Sequence, residues 1–301
     1  MRIFSAASRF GLSCAIATPF DPDGAIDQAR LAAHAADLLA RGCDGLTVFG
    51  TTGEGPSIGL DERKASFATL AAAGIPLATR VIAGVMASAL PDALAQARSA
   101  LDAGCRALLV APPFFFKGVG DDGVFDWYGR FFEALAGRLG PVILYHIPQL
   151  TGVALSIELI QRLKTRYPEI IAGVKDSGGD WQHTEALLAA HAGDLDILVG
   201  DERHVAAALR SGGAGTICGL ANLIPEAMRV VAHGGGERDE VGQLSALVGD
   251  HAFLPWLKTL LAHRAADPAW LALRPPLAGL SAEAAAGVVA GYDGHFRAKA
   301  A

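Results

Sequence analysis

The sequence has few charged residues and few cysteines. Of its 301 residues, 19% are charged and 51% are hydrophobic. The cysteines are widely scattered and none forms a C-x-x-C pair: Cys14, Cys43, Cys105 and Cys218. This usage predicts buried thiols in a reducing, cytoplasmic compartment, with neither a disulfide framework nor a zinc site.

No stretch of the sequence is both long enough and apolar enough throughout to predict a membrane span. The mean hydropathy of +0.33 is high, but the longest uncharged stretch, residues 139–157, is interrupted by glycines and prolines. Arg2 and Arg9 precede an apolar run at 11–20 that loosely mimics a signal peptide. That run is short and leads into a strand end, so we expect no export. A net charge of −6 without a basic run disfavours nucleic acid and anionic membranes as partners.

Short apolar runs alternate with Ala/Leu-rich helical stretches along the chain. Strands are predicted at residues 13–17, 45–49, 79–83, 107–111, 142–146, 171–175, 196–199 and 215–218. Eight such units predict a (β/α)₈ TIM barrel. A doubly wound sheet is the alternative, but no G-x-G-x-x-G turn follows an early strand. We expect a barrel at residues 1–224 and a helical segment at 225–301 that packs on it.

Lys175 is the only one of six lysines that ends an apolar strand. Catalytic residues of such barrels lie at the carboxyl ends of the strands. An apolar surrounding lowers the pKa of a lysine and frees the amine to attack a carbonyl. The alternative is a structural lysine that reaches solvent or pairs with Asp176.

Two further features surround this lysine. Tyr145 ends the preceding strand, so its phenol is expected to meet Lys175 and to transfer protons; the alternative is a core tyrosine bonded to a loop carbonyl. The glycine-rich turn at residues 50–55 follows the second strand, and its N–H groups and hydroxyls favour a carboxylate. A phosphate site or a plain tight turn remains open.

Three segments together resemble one enzyme family. They are GTTGEGPS at 50–57, YHIPQLTG at 145–152 and GVKDS at 173–177. In order and loop position they resemble the family of N-acetylneuraminate lyase and dihydrodipicolinate synthase, over roughly residues 10–225, and the helical tail is also similar.

The resemblance implies a class I aldolase that needs no metal or other cofactor. Lys175 is expected to form a Schiff base with pyruvate or another 2-oxo acid. Tyr145 would move the proton with Thr51 in its relay. Gly50, Thr51 and Thr52 would hold the carboxylate. The implied reaction makes or breaks a carbon–carbon bond of a 2-oxo-3-deoxy sugar acid or related compound, with an aldehyde or sugar acid as the other substrate.

The expected specificity residues carry less specific signals. Ser177, Asp201 and Glu202 resemble positions that hold substrate hydroxyls in the lyase branch, and Ile217 and Gly219 are expected to line the wall beside the imine. For Asp201 the equal alternative is the N-cap of a helix at 205–209, with Glu202 in its first turn. Asp180 is expected to cap the helix that begins at Trp181, and His146 to be structural.

Two positions depart from the family pattern. Leu150 occupies the position at which the synthase branch has an arginine that binds the carboxylate of the second substrate. Because leucine cannot bind a carboxylate in this way, synthase activity is disfavoured. Phe115 aligns with a tyrosine that many members lend to a neighbouring subunit. A phenylalanine cannot relay a proton, which leaves a dehydratase of 2-oxo-3-deoxy sugar acids and a non-catalytic 2-oxo acid sensor as alternatives.

Other expectations concern metals and partners. A metal-dependent aldolase is disfavoured because the nine histidines form no evident cluster at strand ends. Members of the family are commonly tetramers, so we expect a homo-oligomer with the aromatic loop 114–116 as a contact.

Overall fold

The computed structural model describes residues 10–296. Residues 1–9 and 297–301 lie outside the described part of the chain. Arg2, Arg9 and Lys299 therefore lie outside it, as do the start of the predicted barrel segment and the end of the predicted helical segment.

Eight parallel strands close into a barrel in sequence order, with β1 pairing with both β2 and β8. Every strand residue is buried, as expected where helices cover the outside of a parallel sheet. The strands are β1 (Gly11–Ala15), β2 (Gly45–Val48), β3 (Val81–Val85), β4 (Ala107–Val110), β5 (Val142–His146), β6 (Ile171–Asp176), β7 (Asp196–Val199) and β8 (Gly215–Cys218).

Helices follow the strands and form the outer layer. They are α1 (Gln28–Ala40), α2 (Leu60–Ala72), α3 (Leu77–Arg80), α4 (Leu90–Asp102), α5 (Asp121–Glu133), α6 (Pro148–Thr151), α7 (Ile157–Arg166), α8 (Trp181–His191), α9 (Val205–Arg210), α10 (Pro225–Gly234), α11 (Asp239–Val248), α12 (Phe253–Ala265) and α13 (Ala282–Phe296). The (β/α)₈ prediction is confirmed.

Local sequence explains where individual helices begin and which face they bury. Helix α1 begins after Asp27, whose carboxylate accepts a hydrogen bond from the N–H of Arg30 at 2.9 Å, and its spacing buries Leu31 and Leu38. Asp180 caps α8 by accepting from the N–H of Gln182 at 2.9 Å, as predicted.

The strand boundaries differ from the prediction at β1 and β3. Strand β1 begins at Gly11, two residues earlier than predicted. Strand β3 begins at Val81 because the preceding residues form α3, in which the N–H of Arg80 donates to the carbonyl of Pro76 at 3.0 Å. The apolar run at 79–83 does not distinguish a short helical turn from a strand.

The chain after β8 forms helices α10 to α13. Helix α10 contacts β1 and β8, which is the packing of a barrel's eighth helix. The division of the chain at residue 224 stays a prediction. Within residues 10–296, no helix combines the length and apolar character that crossing a bilayer requires. The four cysteines are free thiols, and only Cys105 is partly exposed.

Candidate active site

A cavity of about 500 Å³ opens at the carboxyl ends of the strands. Its lining includes nearly all of the predicted site residues: Thr51, Thr52, Tyr145, Lys175, Ser177, Asp201, Glu202, Ile217 and Gly219. Gly50 is not part of the lining. A mostly apolar pocket that carries a few polar groups at this end of a barrel is typical of an active site.

Lys175 reaches the floor of this cavity from the end of β6, and the side chain is 4% exposed. Within residues 10–296 its ammonium has no carboxylate within 4 Å, so the predicted alternative of a pair with Asp176 is wrong. Gly200 leaves the space for it, because a β-carbon there would lie 3.2 Å from Lys175 Cε and 2.0 Å from Ser177 Oγ.

Tyr145 is the direct cross-strand partner of Lys175. The parallel register of β5 and β6 pairs Tyr145 with Lys175 and, two residues earlier, Ile143 with Gly173. Lys175 Nζ donates to the Tyr145 hydroxyl at 3.3 Å and lies 4.4 Å from the centre of its ring. The strand-end argument therefore predicted this contact correctly.

Thr51 extends the contact into a chain of three polar groups. Its Oγ1 lies 3.1 Å from the Tyr145 hydroxyl. Thr51 belongs to the glycine-rich turn, where the N–H of Glu54 donates to the carbonyl of Thr51 and that of Gly55 to Gly50. Within residues 10–296, the N–H groups of Thr51 and Thr52 have no such acceptor. Both residues line the cavity together with Lys175.

Asp201 and Glu202 line the cavity with carboxylates that are already hydrogen-bonded. Asp201 accepts from the N–H of Arg203 at 3.1 Å and from its guanidinium at 2.6 Å. Burial raises the pKa of Asp201, but the contacts with Arg203 outweigh it and lower the pKa overall. Helix α9 begins after His204 rather than after Asp201, so the predicted N-cap is wrong. Asp201 stabilises the turn before the helix.

Glu202 is a structural link between two loops. Its Oε1 accepts from the N–H groups of Gly219 and Leu220, both at 2.9 Å. Burial raises the pKa of this carboxyl. It lies before α9, not in the first turn that the sequence suggested. These hydrogen bonds attach Gly219, which lines the cavity with Ile217, to the loop that follows β7.

The sequence did not predict the wall that the C-terminal segment contributes. Ser245 and Val248 of α11, with Gly249 after it, and Phe253 of α12 line the cavity. A β-carbon at Gly219 would lie 2.4 Å from the ring of Phe253, so this glycine is required for the helix to approach. No local motif marks these residues, since their position depends on how the segment packs.

A histidine cluster beside the site corrects a further prediction. His146 ends β5 and its ring stacks on His183 at 4.1 Å between centroids, with the rings 7° from parallel. Both nitrogens of His183 meet acceptors, Asp176 Oδ2 at 3.2 Å and the carbonyl of Leu155 at 3.3 Å. The expectation that histidines form no cluster at strand ends was wrong.

The geometry of this cluster favours an ion pair over a metal site, although its ligand atoms lie within 4.8 Å of one another. Imidazole lone pairs lie in the ring plane, and one ion cannot lie in the planes of two stacked rings. The hydrogen bond to Asp176 outweighs burial and raises the pKa of His183. Burial, with repulsion from His183, lowers the pKa of His146 to about 4. His146 faces away from the cavity, as predicted.

The two departures from the family pattern lie in different places. Leu150 is 60% exposed and lines the cavity, so its own side chain supplies no guanidinium there; Arg203 also lines the cavity, but its guanidinium is bound to Asp201. Phe115 is 74% exposed and lies outside the cavity lining. It therefore contributes nothing to the proton path of its own chain.

Comparison with known proteins agrees with this geometry. The model of the dihydrodipicolinate synthetase family matches residues 9–262. A DapA-like lyase of Chloroflexus aurantiacus is 35% identical over 94% of this chain and 96% of its own length. A 4-hydroxy-tetrahydrodipicolinate synthase of Aromatoleum aromaticum is 34% identical over 80% of this chain and 81% of its own.

Solved structures extend the likeness to the whole fold. The crystal structure of dihydrodipicolinate synthase from Agrobacterium tumefaciens has a TM-score of 0.93 and 42% identity, covering 96% of this chain and all of its own. A 2-keto-3-deoxygluconate aldolase of Sulfolobus solfataricus, with 23% identity and a TM-score of 0.83 over 96% of this chain and 97% of its own, shares the fold. The chain belongs to the dihydrodipicolinate synthetase family and is an enzyme of its lyase and aldolase group.

Proposed function

We propose that the enzyme forms a Schiff base between Lys175 and pyruvate or a related 2-oxo acid, and through it cleaves or forms a carbon–carbon bond of a 2-oxo-3-deoxy sugar acid or similar compound. The observation that carries the proposal is the buried Lys175 amine, which lies 3.3 Å from the Tyr145 hydroxyl and, among the described residues 10–296, has no carboxylate partner. A lysine amine can attack the carbonyl carbon of a 2-oxo acid and form an imine with it.

The contacts support an order of steps. The amine of Lys175 attacks the C2 carbonyl, and loss of water gives a protonated imine. In cleavage, the C4 hydroxyl loses its proton, the C3–C4 bond breaks to release an aldehyde, and its electrons pass to the imine nitrogen. The resulting enamine takes a proton at C3, and water hydrolyses the imine to pyruvate. Tyr145, bonded to Thr51, is placed to carry these protons.

The glycine-rich turn is the proposed carboxylate site. The free N–H groups of Thr51 and Thr52 lie beside Lys175 in the cavity. Several hydrogen bonds to one carboxylate would fix the ketone against the amine, and orientation of this kind accounts for a large part of enzymatic rate enhancement. Gly50 serves the turn through its carbonyl, which accepts from Gly55.

Further polar groups of the cavity lining are proposed to bind the aldehyde portion. Ser177, Asp201 and Gln149 offer hydroxyl, carboxylate and amide groups that suit substrate hydroxyls. Leu150 offers no charge for a second carboxylate, which argues against the reaction named for the synthase relatives. A deoxy sugar acid, the kind of compound named for the Sulfolobus aldolase, fits this distribution better.

A dehydratase acting on the same class of sugar acids is the second candidate. It would use the same imine but break a C–O bond instead of the C3–C4 bond. The observation that favours it is Phe115, which removes the phenol that many relatives supply from a neighbouring subunit. Product analysis separates the two, because only the aldolase releases pyruvate and an aldehyde.

We also propose that the protein is a homo-oligomer with loop 114–116 in the contact. Phe115 and Phe116 are each 74% exposed, and their rings meet edge to face at 5.3 Å. Exposed aromatic pairs of this kind often mark interfaces. Light scattering would give the molar mass in solution, and a lone 31.1 kDa species would contradict this.

The Schiff base is tested by reduction. Incubation with pyruvate and borohydride should leave a stable adduct on Lys175, identified by peptide mass spectrometry, and a chelator should not prevent it. Lys175→Ala should abolish the adduct. Lys164→Met is the matched control, because Lys164 is also buried but donates to the carbonyls of Pro168 and Ile171 at the opposite end of β6. A native protein that gains no mass would refute the proposal.

A further inference from the structure

Two residues with side chains adopt left-handed backbone conformations at the ends of the glycine-rich turn. Phe49 has φ 58° and Glu54 has φ 53°. This region is unfavourable for residues that carry a β-carbon, and it persists only where surrounding contacts impose it. Thr51 and Thr52, which line the cavity, lie between these two residues. The contacts that hold Glu54 in this conformation therefore affect the turn that we propose to bind the carboxylate.

Glu54 is held by groups from the C-terminal segment. Its carboxylate is buried, with Oε1 2.5 Å from Lys258 Nζ and Oε2 3.1 Å from the N–H of Arg274. Lys258, on α12, also donates to the carbonyl of Ala272 at 2.7 Å and lies 4.5 Å from the centre of the Phe20 ring. The ion pair is therefore buried, and each partner makes a further hydrogen bond, which helps to offset the cost of burying two charges.

The backbone carbonyl groups of the turn are held by hydrogen bonds from other residues. Arg63 donates to the carbonyl of Gly55 at 2.7 Å, and Thr18 donates to that of Gly53 at 2.7 Å. These contacts fix the carbonyls of the turn from the barrel side. Lys258 forms the ion pair with the side chain of left-handed Glu54, whose other oxygen accepts from the N–H of Arg274.

Helix α12 also connects this pair to the cavity wall. Phe253, at the start of the helix, lines the cavity, and Lys258 lies just over one turn further on. One rigid helix therefore carries both a wall residue and the partner of Glu54. A shift of α12 would move the turn and the wall together.

We propose that Lys258 is a positioning residue: by holding Glu54 in its left-handed conformation, it aims the N–H groups of Thr51 and Thr52 at the carboxylate of the 2-oxo acid. The inference rests on the proposed function of the turn. It assigns to the C-terminal segment a role in substrate binding that packing alone does not imply. A purely structural pair would change stability and leave the affinity of the folded enzyme for pyruvate unaltered.

The test measures the rate of borohydride trapping against pyruvate concentration. The variant is the double substitution Glu54→Gln with Lys258→Met, because removing one partner alone would leave an uncompensated buried charge. We expect the half-saturating pyruvate concentration to rise about tenfold or more, as for the loss of one or two oriented hydrogen bonds to a charged group. The maximal trapping rate should change far less, since Lys175 and Tyr145 are untouched.

Lys164→Met is the matched control, in which a buried lysine is lost far from the turn, and its half-saturating concentration should equal the native one. If the double variant does not fold, Glu54→Asp serves, because it keeps a buried carboxylate opposite Lys258 while shortening the side chain that Lys258 holds, and the half-saturating concentration should again rise. Hydrogen exchange should also show faster exchange at residues 50–58 in the variant.

The outcomes separate the two proposals. A native protein that is trapped, with a variant that half-saturates as the native does, would overturn the role of Lys258 and leave the Schiff base intact. An equal rise in the Lys164→Met control would also overturn it. A native protein that pyruvate cannot label would overturn both.

Discussion

Replacement of Tyr145 by phenylalanine removes one oxygen from the centre of the site. That oxygen is 3.3 Å from Lys175 Nζ and 3.1 Å from Thr51 Oγ1, and the residue is buried. A positioned acid or base contributes about 10²–10⁴ to a rate, which corresponds to about 3–5 kcal/mol of transition-state stabilisation. We expect Tyr145→Phe to slow turnover by this factor and to retain pyruvate trapping, because Lys175 remains.

Tyr128→Phe is a matched control for the loss of a buried phenol. Tyr128 is equally buried, but its hydroxyl donates to the carbonyl of Val110 at 3.1 Å on the outer side of the barrel. Each substitution should cost about 0.5–1.5 kcal/mol of stability for each hydrogen bond lost. The two variants should therefore melt within a few degrees of each other while only one is slow.

The assay follows exchange of the C3 protons of pyruvate with solvent by NMR, together with borohydride trapping. Exchange requires the enamine and a group that moves the proton, so it reports on Tyr145 without any knowledge of the aldehyde. Exchange in Tyr145→Phe at the native rate would show that the phenol is not the proton carrier. A loss of equal size in Tyr128→Phe would show that the effect arises from stability.

Three further predictions follow from the contacts around the site. The hydrogen bond to Asp176 raises the pKa of His183 above its usual 6.5, so the stabilising effect of this pair is complete below pH 6.5 and is lost as the pH rises through the raised pKa. In urea unfolding, the free energy of unfolding should therefore decline more steeply above pH 6.5 in the native protein than in His183→Asn. Parallel curves for the two proteins would contradict the ion pair. Gly200→Ala should slow trapping by up to about 10²-fold, because its β-carbon would crowd Ser177 and Lys175; Gly193→Ala, where the β-carbon meets open space, should have no effect, and equal trapping in both variants would refute the crowding. Leu150→Arg should change stability by less than about 0.5 kcal/mol, since the side chain is exposed; thermal melts would show a larger loss if Leu150 packed against the core.

Local sequence was enough to predict the barrel and the two central residues. Apolar runs with helical stretches between them gave eight β/α units, and polar residues at the ends of two consecutive runs marked Tyr145 and Lys175. Both inferences depend only on periodicity and chain order. They failed where a short apolar run had two possible forms, as at residues 79–83, where α3 precedes β3.

Only the tertiary structure decided which polar groups are free and which are bonded. The packed fold brings His183 of α8 onto His146 and Asp176, and it brings Glu202 to the N–H groups after β8. Lys258 meets Glu54 across 204 residues of sequence. Contacts at such separation depend on the packing of whole helices against the barrel, and no local pattern encodes them. The sequence thus determined that Lys175 would lie at a strand end beside Tyr145, and the packed structure decided what surrounds it.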